Sequence, residues 1–357
     1  MKKRSTQPKT PTSTTYTFGL DSFGDLAFDD DGKLTSYAQA IRLAVDEAVF
    51  ADELGVDAIA LGEHHRDDFA ISSPEMVLSA IASRTSRIKL ASGVTVLSSD
   101  DPVRVFERFA TLDAVSNGRA QIIIGRGSFT ESFPLFGYNL RDYDQLFEEK
   151  IELFTELLKE KPVTWSGSTR ASLEAADVFP KTESGAIETF VGVGGSPESV
   201  IRAARYDLPL MLAIIGGSPD RFAPYADLYQ KATEQFGTTA HPIGIHSPGY
   251  IAETDEEAVR EAFPLFKEQM DRVGKTRGWT PMTREHFLSE VQHGSMYVGS
   301  PETVAQKITH AMKVVGATRF DLVYGFGPAQ VAQRRRTIEL YATKVIPRVK
   351  ELLAESN

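Results

Sequence analysis

The chain of 357 residues contains no cysteine. Disulfides, thiolate zinc sites, iron–sulfur clusters and cysteine nucleophiles are thereby excluded, and a reducing cytosol suits such a chain. Long apolar runs are missing too: no stretch approaches the roughly 20 consecutive apolar residues a membrane helix needs. Basic residues are in the minority, 39 Lys and Arg against 49 Asp and Glu, for a net charge of −10. Binding a phosphate backbone needs a basic face, so a nucleic-acid role is disfavoured. The N-terminal MKKRSTQPKTPTSTT is basic but lacks the apolar core of a secretory signal, and its Ser, Thr and Pro content reads as a disordered tail over 1–15. The expectation is a cytoplasmic protein with neither membrane nor nucleic acid as partner. What is present, 41% hydrophobic and 25% charged residues, is ordinary globular composition with enough length for a sizeable core.

From Tyr16 onward short apolar strands alternate with amphipathic helices. TYTFGLD, VDAIALG (56–62), IKLASGVTVL (88–97) and AQIIIG (120–125) read as the first four strands. ETFVGVGG (188–195), LPLMLAII (208–215), PIGIHSPGYIAE (242–253) and FDLVYGF (320–326) read as the next four. Helix starts are marked by Asp101–Pro102, by Ser–Pro–Glu at Ser73, Ser196 and Ser300, and by a capping box from Thr254 to Glu257. Pro264 is expected to interrupt the helix that Thr254 opens. The stretches 162–187 and 274–297 fit neither pattern and read as insertions after strands 4 and 7. Eight strands, each followed by helix, match an α/β fold of the (β/α)8 TIM-barrel type, one domain over 16–357.

In such a barrel, active sites form at the C-terminal ends of the strands. There the chain places Glu63–His64–His65, Gly125–Arg126–Gly127 and Gly194–Gly195–Ser196–Pro197. Two glycines followed by a helix start let a backbone approach a ligand while free N–H groups receive an anion. A phosphate held at Gly194, Gly195, Ser196 and Ser199 is one reading; a plain capped helix is the other. Arg126 offers a bidentate fork for the same phosphate, or is simply a loop arginine.

The histidine pair poses a different question. Consecutive side chains on extended backbone point to opposite sides, so His64 and His65 do not readily share one metal ion, and Glu63 faces with His65. No HxH pair or carboxylate set supports a metal hydrolase. A strand-end histidine suits acid–base work or a hydrogen bond to a cofactor; a loop-holding core histidine is the structural alternative. The other five histidines stand in no recognisable constellation.

Taken together, these motifs resemble the bacterial luciferase-like flavin-dependent monooxygenases. The landmarks are EHH at 63–65, the DPVR helix start at 101–104, the SNGR turn at 116–119 and the GRG and FPLFG segments after the fourth strand. FVGVGGSPESVIRAARYDLPLML and YVGSPETVAQKI continue the likeness. The resemblance implies a barrel holding reduced FMN, with O2 forming a peroxyflavin that oxygenates a small organic molecule. It implies His64 as the catalytic histidine, Gly93–Val94 as a non-proline cis peptide beneath the flavin ring, and Arg126 as the phosphate-contacting arginine. Gly195, Ser196 and Ser199 fall on the phosphate turn.

Three departures stand out. Gly125 replaces a reactive cysteine, Gly195 replaces an acid, and Asp144 stands where a second arginine is expected, with Arg141 nearby. They argue against light emission from a long-chain aldehyde and leave the flavin site largely intact. No nicotinamide motif is evident, which implies a separate flavin reductase as partner; the family also implies a homodimer. A deazaflavin-dependent oxidoreductase and a non-catalytic flavin-binding subunit are the alternatives within the superfamily.

Overall fold

The computed structural model describes residues 15–29 and 31–355. The polar tail expected over 1–15 therefore lies, Thr15 apart, outside the described residues. The strands are β1 (Thr17–Ser22), β2 (Ala58–Leu61), β3 (Lys89–Val96), β4 (Ala120–Gly125), β5 (Val163–Trp165), β6 (Leu173–Ala176), β7 (Glu188–Val193), β8 (Leu210–Ala213), β9 (Ile243–Ile251), β10 (Tyr297–Gly299) and β11 (Arg319–Val323). Parallel pairing runs β9-β11-β1-β2-β3-β4-β7-β8, and β8 pairs back onto β9, closing an eight-stranded parallel barrel. The TIM-barrel expectation is met.

Alternation explains the closure. One set of strand residues, among them Phe18, Leu20, Ile59, Leu61, Leu90, Ile122, Ile124, Val191, Leu210, Ile245 and Leu322, joins the surrounding helices in the main apolar core. The other set points inward, as barrel geometry requires, and it divides by chemistry. Ile123, Phe190 and Met211 form a small interior cluster against Val94. Beside them Arg319, its guanidinium over the Phe190 ring, lies 2.7 Å from the Asp321 carboxylate and donates across the barrel to Gln121 at 3.0 Å. Filling part of the bore with paired charge leaves the upper part to a ligand.

Local signals place the helices. Ser36 and Gln39 form a capping box for the helix Tyr37–Glu53, and the Asp101 carboxylate accepts from the amides of Val103 and Arg104. The three Ser–Pro–Glu starts behave otherwise: none of their hydroxyls caps a backbone amide. Ser196 instead donates to Glu198 at 2.7 Å, and Ser300 to Thr303 at 3.2 Å. The capping box expected at Thr254 is present as its Thr half, Thr254 accepting from the Glu257 amide.

Both insertions are found, with more structure than their sequences announce. The first carries the antiparallel pair β5–β6. The second is reached by a helix, Asp255–Arg277, that runs through Pro264 without stopping. One missing hydrogen bond is offset there by burial of Ala258, Ala262 and Phe266 against Phe287, Met282 and Met296. A second helix, Arg284–His293, and β10, paired with β9, complete it. Its apolar cluster is separate from the main core.

Candidate active site

A cavity of about 680 Å³ opens at the strand C-termini, a size usual for small-molecule sites. Its floor is the inward layer of the barrel: Val94, Ile123 and Met211 on the apolar side, Asp21 and His246 on the polar side. The Gly93–Val94 peptide is cis, as the resemblance implies. Close packing around it explains the neighbouring glycines. A Cβ on Gly93 would stand 2.8 Å from an Asp21 carboxylate oxygen, and one on Gly125 would stand 2.8 Å from Val94 Cγ2. A side chain at 125 would thus meet Val94, which occupies that space.

His64 forms one wall. It follows β2, and its ring lies among Phe69, Phe23 and Phe129, with centroids 4.2, 5.0 and 5.2 Å away. Its Nδ1 is buried without a hydrogen-bond partner among the described residues. Burial, reinforced by the charge of Arg66, lowers the imidazole to about 3 from an ordinary 6.5, so it is neutral at physiological pH. His65 turns the other way and contacts Glu63 at 3.0 Å, while the second Glu63 oxygen accepts from the Val96 amide at 2.9 Å. Glu63 and His65 therefore brace the loop. Among the described residues no three His, Asp or Glu side chains converge on a metal position.

The far wall comes from the second insertion. Met270, Val273, Trp279, Pro281 and Met282 line it together with Arg277. Arg277 donates to the Ser128 carbonyl at 3.0 Å and stands over the rings of Phe129 and Trp279, tying the insertion to the loop after β4. Desolvation lowers the Arg277 guanidinium from its ordinary value.

The expected phosphate residues are not part of this cavity's lining. They sit beside it, at the ends of β4 and β7. Arg126 pairs with the exposed Asp144 at 3.0 Å. Gly195 has φ 116°, and its carbonyl accepts from Tyr225 at 2.7 Å. Ser196 binds Glu198, and Ser199 is buried 3.5 Å from an Arg202 nitrogen. The hydrogen bond from Ser196, with smaller help from the charges of Arg126 and Arg202, holds the Glu198 carboxyl below its usual range. Arg126 and the helix start at Pro197 thus share one electrostatic neighbourhood, presently balanced by exposed carboxylates.

A luciferase-like monooxygenase family model matches residues 23–319. The chain belongs to that family. Among its relatives is limonene 1,2-monooxygenase of Rhodococcus erythropolis, 26% identical over 86% of this chain and 81% of that one. The uncharacterized proteins y4wF and y4vJ of Sinorhizobium fredii are 35% and 30% identical, but this chain spans only 40% and 38% of their length. Solved structures share the fold. Monooxygenase RslO1 from Streptomyces bottropensis superposes with a TM-score of 0.80 at 23% identity, over 93% of this chain and 99% of that one. The oxygenating constituent of 3,6-diketocamphane monooxygenase from Pseudomonas putida, in complex with FMN, gives 0.70 at 20%, over 94% and 99%. The coenzyme F420-dependent tetrahydromethanopterin reductase of Methanopyrus kandleri gives 0.69 at 19%, again over 94% and 99%.

Within this luciferase-like barrel, His64, Gly93 and Val94 meet at one cavity, and Arg126, Gly194, Gly195, Ser196 and Ser199 gather beside it. Sequence reasoning passed over Asp21 and His246. Their signal was charge at inward positions of otherwise apolar strands, TFGLDS and IGIHSPGYI.

Proposed function

We propose that this protein is a flavin-dependent monooxygenase that uses reduced FMN and O2 to oxygenate a small, largely apolar organic substrate. The observation that carries the proposal is the meeting, at one strand-end cavity, of the Val94 shelf and a buried His64 with an unpartnered Nδ1, with Arg126 and the Gly194–Gly195 turn alongside. These residues fit FMN. Val94 offers a flat apolar surface from which Gly93, Gly125 and Gly192 withdraw their side chains. Arg126, Ser196, Ser199 and the backbone of Gly194 and Gly195 would hold the phosphate. Exposed ion pairs such as Arg126–Asp144 are worth little, so a phosphate displaces the carboxylate at small cost.

When bound, reduced FMN supplies the electrons that activate O2. The chain's own contribution is positioning and exclusion. His64, neutral, offers its unpartnered Nδ1 as a donor or an acceptor according to tautomer. Phe23, Phe69, Phe129 and Met211 keep water from it. The apolar far wall of Met270, Trp279 and Met282 selects a hydrophobic substrate body. Reduced flavin comes from a separate reductase, and the protein works as a homodimer in the cytoplasm. The limonene monooxygenase likeness supports oxygenation; the F420-dependent fold relative makes hydride transfer with a deazaflavin the rival reading.

Anaerobic titration separates these. Reduced FMN is expected to bind far below millimolar, and the deazaflavin weakly. If neither binds below about 1 mM, barely −4 kcal/mol, the flavin reading is wrong. With substrate in hand, His64→Ala is expected to keep FMN affinity while lowering turnover by about 10²–10⁴-fold; unchanged turnover removes His64 from catalysis.

A further inference from the structure

We propose that His246, held in place by Asp21, is the proton donor and acceptor on the floor of the cavity, working opposite His64. This rests on the reading above that the cavity holds the flavin and its substrate.

Barrel closure creates the pair. Asp21 ends up level with Val323, and His246 level with Asp321 on one side and Ala213 on the other. The inward side chains of β1 and β9 then meet over the intervening β11. His246 Nδ1 lies 2.7 Å from an Asp21 oxygen, in a contact where Asp21 is fully buried and His246 nearly so. A ring whose Nδ1 faces a carboxylate has its tautomer set and turns Nε2 the opposite way. Both residues line the cavity, and Phe23, centroid 5.7 Å away, packs against the ring.

The surrounding charges leave this pair its own counter-ions. Asp321 is neutralised by Arg319 at 2.7 Å, and Arg319 is further engaged by Gln121. Among the described residues Asp21 has no ion-pair partner besides His246. Asp21, Asp321 and Arg319 are the charged groups that act on His246. Burial alone would lower the imidazole, but the Asp21 charge and contact together with the Asp321 charge outweigh it and hold His246 above its ordinary value. Burial pushes the Asp21 carboxyl up as well. One short contact does not hold two protons comfortably, so the pair titrates as a unit carrying one; in the proposed dyad His246 carries it.

Of the three histidines lining the cavity, His64, His246 and His286, the first two have opposite character, and such divergence is how paired titratable groups divide acid–base labour. In the donating direction the Nε2–H bond breaks and its proton passes to an anionic oxygen or nitrogen forming in the cavity. The electron pair stays on the ring, and Asp21 remains a carboxylate beside it. The accepting direction reverses this, and over a cycle the dyad returns to its starting state.

The test uses the full-length protein and the variants His246→Gln, His246→Asn and Asp21→Asn. Histidine-selective NMR titration without flavin is expected to show one ring titrating above 6.5, lost in the His246 variants and shifted downward in Asp21→Asn. FMN affinity should stay within about threefold in all of them. Single-turnover oxidation of the reduced-FMN complex by O2, followed across pH, should lose one limb in the His246 variants, with a fall of roughly 100-fold or more. In Asp21→Asn that limb should move to lower pH. If the variants bind FMN and keep the wild-type pH profile, the dyad is structural and the proposal fails, whatever happens to thermal stability. If wild type binds no FMN, the flavin reading fails instead, and the NMR titration still decides whether the dyad exists. Should Asp21→Asn not fold, His246→Asn, which keeps an amide facing Asp21, decides the matter by the same two readouts.

Discussion

His64 should make the protein acid-labile in a way one substitution reveals. The folded imidazole takes a proton only near pH 3, whereas an unfolded one does so near 6.5. Above pH 6.5 both states are neutral and the group contributes nothing to the pH dependence. As pH falls below 6.5 the unfolded chain gains a proton that the folded chain refuses, and stability drops by about 1.4 kcal/mol per pH unit until about pH 3. The loss is about 2 kcal/mol at pH 5 and about 3 kcal/mol at pH 4. His64→Gln removes this titration and leaves every other group in place. Urea unfolding of wild type and variant, followed by far-UV circular dichroism from pH 8 to 4, isolates the effect. The variant is expected to be less stable at pH 8 and to regain about 3 kcal/mol relative to wild type by pH 4. Parallel curves across that range would refute the reasoning, because they would mean that the folded ring accepts its proton normally and is not held neutral.

Further outcomes are open to measurement. Arg126→Ala should weaken FMN about 10- to 100-fold, the worth of a charge-assisted hydrogen bond, while leaving riboflavin affinity unchanged; equal losses for both ligands would remove Arg126 from the phosphate site. Glu47→Gln should cost about 3–5 kcal/mol, read by urea denaturation, because Glu47 is buried and accepts from Arg334 Nε and Nη2 and from Tyr324, each at 2.8 Å. Gly125→Ala should shift Val94 and lower FMN affinity severalfold with little change in far-UV signal, since the new Cβ would sit 2.8 Å from Val94 Cγ2; unaltered affinity would separate that shelf from the flavin.

Much of the barrel was legible because its information is local. Short apolar runs such as VDAIALG or AQIIIG and cap residues such as Asp101 each act within a few positions, and the strands lie where those patterns fall. Strand ends were less exact: FDLVYGF reads through Phe326, whereas β11 stops at Val323. Pro264 misled because a local penalty was outweighed by apolar contacts made far along the chain. The site divided along the same line. His64, Arg126 and the Gly195 turn announce themselves by neighbours in sequence. Asp21 and His246 do not, since their partnership exists only once β9, β11 and β1 lie side by side.

The insertion after β9 has a cluster of its own, built on Phe266, Phe287 and Met296 and distinct from the core beneath the barrel. Residues facing the ligand from that side, such as Trp279 and Pro281, are therefore mounted on a unit whose apolar cluster does not include them. Their replacement alters the shape offered to a substrate while the catalytic floor keeps its geometry. That separation makes the lid a natural unit of exchange: new substrate ranges are reachable by transplanting 252–299 between related barrels, without rebuilding the strands that hold His64, Asp21 and His246.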